Sequence, residues 1–190
     1  CNEDIALMRT IPNMVIINPA DDVEARAAVK AAYEHVGPVY LRFGRLAAPV
    51  INDNPEYKFE LGKGVTLREG KDITIVATGL EVSFALEAAQ MLEKDGIDAR
   101  VINIHTIKPI DEEIIVKAAK ETKKIFTVEE HSIIGGLGSA VCDVVCEKQP
   151  ALVYKIGMRD RFGESGPAME LLHKYELDAE GIYNQIKANM

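Results

Sequence analysis

The sequence has little of several features that mark particular classes of protein. Among its 190 residues there is no tryptophan, and there are only three cysteines, Cys1, Cys142 and Cys146. Three cysteines cannot build a disulfide framework, and no CxxC motif or histidine cluster accompanies them to complete a tetrahedral metal site. Cys142 and Cys146 stand four residues apart on one face of a predicted helix, and we interpret them as small buried apolar residues.

Positive charge and long apolar runs are also scarce. The 22 Lys and Arg residues are outnumbered by 30 Asp and Glu residues, which gives a formal net charge of −8 at pH 7. Because phosphate backbones select the opposite sign, this balance argues against nucleic-acid binding. No apolar run approaches the roughly 18 residues that span a bilayer, and the first ten residues lack the pattern of a signal peptide. These features predict a cytoplasmic protein without membrane contacts.

Short apolar segments alternate with amphipathic ones along most of the chain. Buried strands are predicted at residues 14–18, 39–43, 72–79, 99–104, 124–130 and 151–157. Helices are predicted at the start of the chain and at residues 19–35, 80–96, 111–122, 136–148, 167–176 and 179–190. Asp111 is the expected N-cap of one helix, and Gly96 is the expected stop of another. The alternation predicts an α/β fold, a three-layer sandwich with a mostly parallel sheet between helices.

One segment interrupts this alternation. Residues 46–62 contain two prolines, two asparagines and a glycine without a sustained period, which predicts a linker. The chain thus divides into residues 1–45, the remnant of one α/β domain, and residues 63–190, a second domain. The first residue is Cys1 rather than an initiator methionine, and a helical pattern begins at once, so we expect a fragment of a longer protein.

The stretch VEEHSIIGGLGSAV, residues 128–141, has the composition of an active site. Glu129 and Glu130 precede His131, and a glycine-rich loop follows at a predicted strand-to-helix turn, where an anion can bind. However, the loop is neither GxGxxG nor a Walker motif, no lysine or arginine accompanies it, and two glutamates would repel a phosphate. We therefore interpret the loop as a tight turn with close packing, and His131 as a contact to another domain or subunit. The interface candidates here are His131, Gly135, Gly136 and Gly138.

Two further stretches carry charged residues next to predicted strands. MRDRFGESG, residues 158–166, is a charged loop that is either solvated or part of an interface or lid, with Arg161 and Phe162 as interface candidates. YLRFGR, residues 40–45, places Arg42 and Arg45 at the end of a strand, where a guanidinium can bind a phosphate bidentately. The alternative for these arginines is an ordinary surface position or a salt bridge to Asp21 or Asp22.

Together these stretches resemble the transketolase family. EDIALMRTIPNMVIINPADDVEA, YLRFGR, IVATGLEVSFALEAA, ARVINIHTIKPIDEE, TVEEHSIIGGLGSAV and DRFGESGPAMELLHKYEL occur in this order in its members. The sequence is most similar to the split form, in which the enzyme consists of N- and C-terminal subunits. It is also similar to 1-deoxy-D-xylulose-5-phosphate synthase and, more loosely, to β subunits of 2-oxo acid dehydrogenases.

The resemblance implies a domain assignment and a function. It makes residues 1–45 the C-terminal part of a pyrimidine-binding domain and residues 63–190 the transketolase C-terminal domain. The family moves a two-carbon ketol unit between sugar phosphates with thiamine diphosphate and Mg²⁺. Its activating glutamate and metal site lie upstream of Cys1, so no catalytic, cofactor-binding or metal-binding residue is expected here, and the isolated chain is expected to be inactive.

The resemblance also implies partners and a substrate contact. Arg45 stands where the family's phosphate-binding arginine does, and Arg42 matches the arginine of the deoxyxylulose-phosphate synthase pattern. The implied partners are sugar phosphates, an N-terminal subunit or domain, and a second copy of the chain. Two alternatives stay open, namely the C-terminal part of a deoxyxylulose-phosphate synthase and a noncatalytic dimerisation or regulatory module.

Overall fold

The structure is a computed structural model that describes residues 1–190. Its helices are α1 (Asp4–Arg9), α2 (Asp22–Glu34), α3 (Glu81–Lys94), α4 (Glu112–Thr122), α5 (Leu137–Lys148), α6 (Ala168–Lys174) and α7 (Ala179–Ala188). Its strands are β1 (Val15–Ile17), β2 (Val39–Leu41), β3 (Val65–Arg68), β4 (Ile73–Ala77), β5 (Ala99–Asn103), β6 (Thr106–Lys108), β7 (Lys124–Ser132) and β8 (Leu152–Met158). No helix is long and apolar enough to cross a membrane.

The larger sheet has five strands in the order β3-β5-β4-β7-β8 and is parallel except for β3. Strand β4 is buried on both faces. Ile73, Ile75 and Ala77 pack with α3 and α7, whereas Val76 belongs to the core formed by α4 and α5. Alternate side chains of one strand thus reach two helical layers, as the period of two requires. The predicted three-layer α/β sandwich is confirmed.

The smaller sheet joins the two parts of the chain. It has the order β2-β1-β6, with β1 parallel to β2 and antiparallel to β6. Strand β6 follows β5 directly, so the second part of the chain supplies one strand to the sheet of the first part. Neither β3 nor β6 is predicted from the sequence, because both are short, carry polar residues and lie at sheet edges.

The predicted linker is tied to the first part of the chain. Residues 46–62 form no helix or strand. The Asp21 carboxylate caps α2 and also accepts hydrogen bonds from the backbone N–H of Ile51 (2.8 Å) and Asn52 (2.7 Å). The Tyr57 hydroxyl donates to the buried Glu24 carboxylate at 2.6 Å. The segment is therefore held in place by side chains of α2 and its cap, and the division of the chain at residues 45 and 63 stays a prediction.

Some local details differ from the sequence-based expectations. Cys146 is exposed and Cys142 is only half-buried, so the expectation that both are buried is wrong; the apolar face of α5 is formed instead by residues such as Val141 and Val144. Strand β7 continues to Ser132, two residues beyond its predicted end. Asp111 accepts hydrogen bonds from two N–H groups at the start of α4, and Gly96 follows α3 with a φ of 79°, both as predicted.

Candidate functional site

A cleft of about 320 Å³ lies between the two parts of the chain. The first part of the chain contributes Arg45 and the first two residues to its lining. The second part contributes Leu80, which follows β4, Glu130 near the end of β7, and the loop around Glu164. Strands β5 and β7 flank β4; α3, which follows β4, packs on one face of the sheet, and α5, which follows β7, packs on the other, so the connections change face between β4 and β7 at this edge. Open α/β sheets bind ligands in the crevice at such a switch point.

Arg45 is the cleft residue best suited to bind an anion. Its side chain is exposed and takes part in no salt bridge or hydrogen bond within the chain. Glu164, which also lines the cleft, is already paired with Lys174 at 2.6 Å. The Arg45 guanidinium therefore keeps its donors available. The fold also brings Arg45 into the same cleft as the DRFGESG loop, which lies more than 100 residues further along the chain.

Arg42 is in a different situation. Its side chain is only 13% exposed, and its Nε lies 2.9 Å from Oδ2 of the buried Asp4. Its Nη2 donates to the carbonyl oxygens of Glu130 at 2.9 Å and Cys1 at 3.3 Å. The ion-pair partner is Asp4 rather than Asp21 or Asp22. Two of the three guanidinium nitrogens of Arg42, Nε and Nη2, are thus engaged within the chain.

Glu129 caps a helix. Its side chain is buried, Oε2 accepts a hydrogen bond from the Leu137 N–H at 2.6 Å, and Oε1 accepts one from the Gly138 N–H at 2.8 Å. Burial raises the pKa of Glu129 to about 7, although the two N–H groups oppose this shift. A Cβ atom at Gly136 would lie 2.0 Å from Oε2, so only glycine fits there. The anion position at the start of α5 is therefore filled by the protein itself.

His131 is hydrogen-bonded within the chain through both ring nitrogens. Its Nδ1 donates to the Ser132 carbonyl oxygen at 2.7 Å, and its Nε2 accepts from the Ala6 N–H at 3.3 Å. Burial lowers its pKa, which keeps the ring neutral. Both ring nitrogens are occupied, so this histidine has no free position for a substrate.

The glycine-rich loop packs against α1. Gly135 has a φ of 81°, its carbonyl oxygen accepts a hydrogen bond from Arg9 at 2.7 Å, and an added Cβ would lie 2.6 Å from the Ala6 Cβ. Gly138 packs inside the domain, where an added Cβ would lie 2.7 Å from Thr127 Oγ1. The Gly136 carbonyl oxygen also accepts a hydrogen bond from Arg9, at 3.2 Å. His131, Gly135 and Gly136 thus join the two parts of this chain, and contacts of these residues with another subunit stay a prediction.

The remaining interface candidates lie on the loop between β8 and α6. The Arg161 guanidinium lies over the ring of Tyr175, 4.5 Å from its centroid. The Phe162 side chain is 94% exposed. Phe162 therefore presents free apolar surface beside the cleft, and its role in an interface stays a prediction.

Glu81 is a residue of the cleft region that no sequence pattern singles out. This residue begins α3, is completely buried, and neither of its carboxyl oxygens has a hydrogen-bond partner. Burial, and then the negative charges of Glu130 and Asp178, raise the pKa of Glu81 well above its ordinary value. An acidic residue in the first turn of a helix is usually solvated, so the sequence carries no sign of this buried carboxyl without hydrogen-bond partners.

The residues of this chain do not form a site for a metal ion or a diphosphate. No group of three or more His, Cys, Asp and Glu residues could hold a metal ion. The cleft offers one unpaired guanidinium, that of Arg45, with the Glu130 carboxylate in the same cleft, while Glu164 is paired with Lys174. One guanidinium next to a carboxylate does not supply the positive charge that a diphosphate needs.

Comparisons with known families and solved structures point to one protein family. The family described as "Transketolase, C-terminal domain" matches residues 62–182, and the family "Transketolase, pyrimidine binding domain" matches residues 2–50. The solved structure described as "Split gene transketolase, inactive beta4 tetramer" has a TM-score of 0.94 and 49% identity, and the match covers 99% of this chain and 61% of that one. A transketolase mutant from Pichia stipitis has a TM-score of 0.76 and 28% identity, covering 99% of this chain and 27% of that one.

Curated relatives extend the comparison. The "Putative transketolase C-terminal section" of Methanocaldococcus jannaschii is 47% identical over 99% of this chain and 59% of its own length. One of the apulose-4-phosphate transketolase subunits of Phocaeicola vulgatus is 45% identical over 94% of this chain and 57% of its own length. The 1-deoxy-D-xylulose-5-phosphate synthase of Heliobacterium modesticaldum is 39% identical over 94% of this chain and 28% of its own length. The chain spans less than two thirds of each relative. It belongs to the transketolase family, as a C-terminal section that is also related to 1-deoxy-D-xylulose-5-phosphate synthase.

Proposed function

We propose that this chain is the C-terminal part of a transketolase that moves a two-carbon ketol unit between sugar phosphates, and that Arg45 binds the substrate phosphate. The observation that carries the proposal is the unpaired, exposed Arg45 guanidinium in a cleft between the two parts of the chain. A guanidinium with free donors can bind two phosphate oxygens at once. The name of the Phocaeicola vulgatus relative supports a sugar phosphate as the substrate class.

The cofactor is assigned to another part of the enzyme. When bound, thiamine diphosphate supplies the carbanion that accepts and releases the ketol unit. The cleft of this chain does not fit a diphosphate with its metal ion, because it offers a single unpaired guanidinium, next to the Glu130 carboxylate, and no group of metal-binding side chains. We therefore assign thiamine diphosphate and Mg²⁺ to an N-terminal partner subunit or domain, and we expect the isolated chain to be inactive. The domain division at residues 45 and 63 and a cytoplasmic location belong to the same proposal.

Two other functions have an observation in their favour. The 39% identity to a 1-deoxy-D-xylulose-5-phosphate synthase favours a decarboxylating enzyme that takes pyruvate as donor. The description of one structural neighbour as an inactive tetramer favours a noncatalytic assembly module. The loop with the exposed Phe162 is the surface that such a module would use.

Steady-state kinetics of the complete enzyme test the proposal. Arg45→Ala should raise KM for a phosphorylated ketose roughly 10- to 100-fold, while KM for an unphosphorylated ketose changes little, since one charged hydrogen-bonding group is lost. Arg26→Ala is the matched control, because Arg26 is also exposed but lies on α2 and does not line the cleft.

Each contrary result has a definite meaning. Equal losses on both ketoses would refute the phosphate role of Arg45. An absolute requirement for pyruvate would favour the synthase. Absence of turnover after assembly with the N-terminal partner and cofactor would favour the assembly module.

A further inference from the structure

Arg42 connects three segments that are distant in sequence. It follows β2, and its guanidinium contacts the Asp4 carboxylate in α1, the Cys1 carbonyl oxygen at the start of the chain, and the Glu130 carbonyl oxygen in β7. The backbone N–H of Arg42 also donates to the Ile17 carbonyl oxygen at 2.9 Å. One side chain therefore fixes the end of β2 relative to both parts of the chain.

The partner of Arg42 is itself held in place. Asp4 is buried, and its Oδ2 also accepts a hydrogen bond from the Tyr40 hydroxyl at 2.8 Å. Burial opposes ionisation of Asp4, but the Arg42 charge and the hydrogen bonds from Tyr40 and Arg42 outweigh it, so the pKa of Asp4 lies below its ordinary value. Asp4 is thus a carboxylate at neutral pH, and it forms a charge-assisted hydrogen bond with Arg42.

The segments that Arg42 joins are walls of the cleft. Cys1, Glu130 and Arg45 line it, and Arg45 is only three residues beyond Arg42. A backbone hydrogen bond also joins the start of the chain to β7, since the Ser132 N–H donates to the Asn2 carbonyl oxygen at 2.7 Å. Arg45 itself has no partner in the chain, so its location depends on the backbone that Arg42 holds.

From these contacts we propose that Arg42 is a positioning residue that holds Arg45 at the cleft, and that Arg42 does not itself bind the substrate phosphate. This inference rests on the proposed function, because it takes Arg45 as the phosphate-binding residue. It separates two arginines that are both candidates in the sequence. Arg42 is mostly shielded from solvent and holds the geometry of the cleft, whereas Arg45 is exposed and binds the ligand.

The experiment uses conservative variants of the complete, cofactor-loaded enzyme. Arg42→Ala would leave the buried Asp4 carboxylate unpaired and could unfold the chain, so Arg42→Lys and Asp4→Asn are used instead. Each should raise KM for a phosphorylated ketose roughly tenfold relative to the Arg26→Lys control, with kcat changed less than about twofold, because a misplaced guanidinium weakens binding without removing a reacting group.

Asp4→Asn is the decisive variant. It removes a negative charge close to the cleft, so an effect of charge alone would strengthen phosphate binding and lower KM. Positioning predicts the opposite, a higher KM. In an Arg45→Ala background, Arg42→Lys and Asp4→Asn should not further change the ratio of KM for a phosphorylated ketose to KM for an unphosphorylated ketose, because no Arg45 guanidinium remains to be positioned.

The results that overturn the inference differ from those that overturn the proposed function. An unchanged or lowered KM in Asp4→Asn would refute positioning. An effect of Arg42→Lys that persists in the Arg45→Ala background would show that Arg42 binds the phosphate directly. If Arg45→Ala alone leaves the KM ratio unchanged, the phosphate role of Arg45 fails, and the positioning role fails with it.

Discussion

The stretch at residues 128–141 and the stretch at residues 40–45 make an instructive pair. Both contain charged residues at or near the C-terminal end of a parallel strand, where ligands bind in folds of this kind. In the first stretch Glu129 caps α5 and His131 receives an N–H group from α1. In the second, Arg42 is paired but Arg45 is left without a partner. A group becomes available for a ligand only when the fold leaves its hydrogen-bonding capacity unused.

The largest effect is expected from filling the space beside Glu129. Gly136→Ala would place a Cβ atom 2.0 Å from Oε2 of Glu129, in a fully buried position, and should destabilise the chain by about 4 kcal/mol or more. Urea unfolding measures this change. Gly44→Ala is the control, because its Cβ would meet nothing closer than 4.0 Å. Similar stabilities for the two variants would show that the loop is loosely packed and open to a ligand.

Removing the cap of α5 should have the next largest effect. Glu129→Ala leaves two buried N–H groups of Leu137 and Gly138 without acceptors, and we expect a loss of about 3 kcal/mol in the free energy of unfolding. The folded variant should keep its turnover in the complete enzyme. A large loss of kcat with unchanged stability would instead make Glu129 part of the catalytic machinery.

Glu81 sharpens the comparison, because it is a buried carboxyl without the partners that Glu129 has. Its pKa is raised in the folded chain, so its contribution to stability is complete at low pH and is lost as the pH rises above about 4.5, the ordinary value. Glu81→Gln cannot ionise, so it should match the parent protein near pH 4 and be more stable than the parent near pH 8. Urea unfolding across this range measures the difference, and a variant less stable at pH 8 would indicate an ionised, stabilising Glu81.

The smallest effect concerns His131. His131→Gln keeps a neutral side chain with one donor and one acceptor, so the free energy of unfolding should fall by only about 1 kcal/mol, and kcat should stay within about twofold. Kinetics and urea unfolding of the same preparation measure both quantities. A loss of kcat of roughly a hundredfold or more would be typical of general acid–base catalysis and would reverse our interpretation of this histidine.

Much of the fold could be predicted from the sequence. The six predicted strands and all seven helices are present, since apolar runs, amphipathic periods and turn residues act over short distances. Asp111 and Gly96 illustrate this, because capping and a left-handed turn depend on a few neighbouring residues. Strands β3 and β6 could not be predicted in this way. Their pairing partners are β5 and β1, and β1 lies about 90 residues before β6.

The candidate site could likewise be predicted only in part. The sequence by itself determined the alternation of strands and helices, the family resemblance, and which side chains are chemically able to bind an anion. Only the tertiary structure decided that Glu129 and His131 are used internally and that Arg45, unlike Arg42, is free. The reason is that a hydrogen bond such as that between Ala6 and His131 joins residues 125 positions apart. Whether a charged group keeps a free donor therefore depends on which distant segments the fold brings against it.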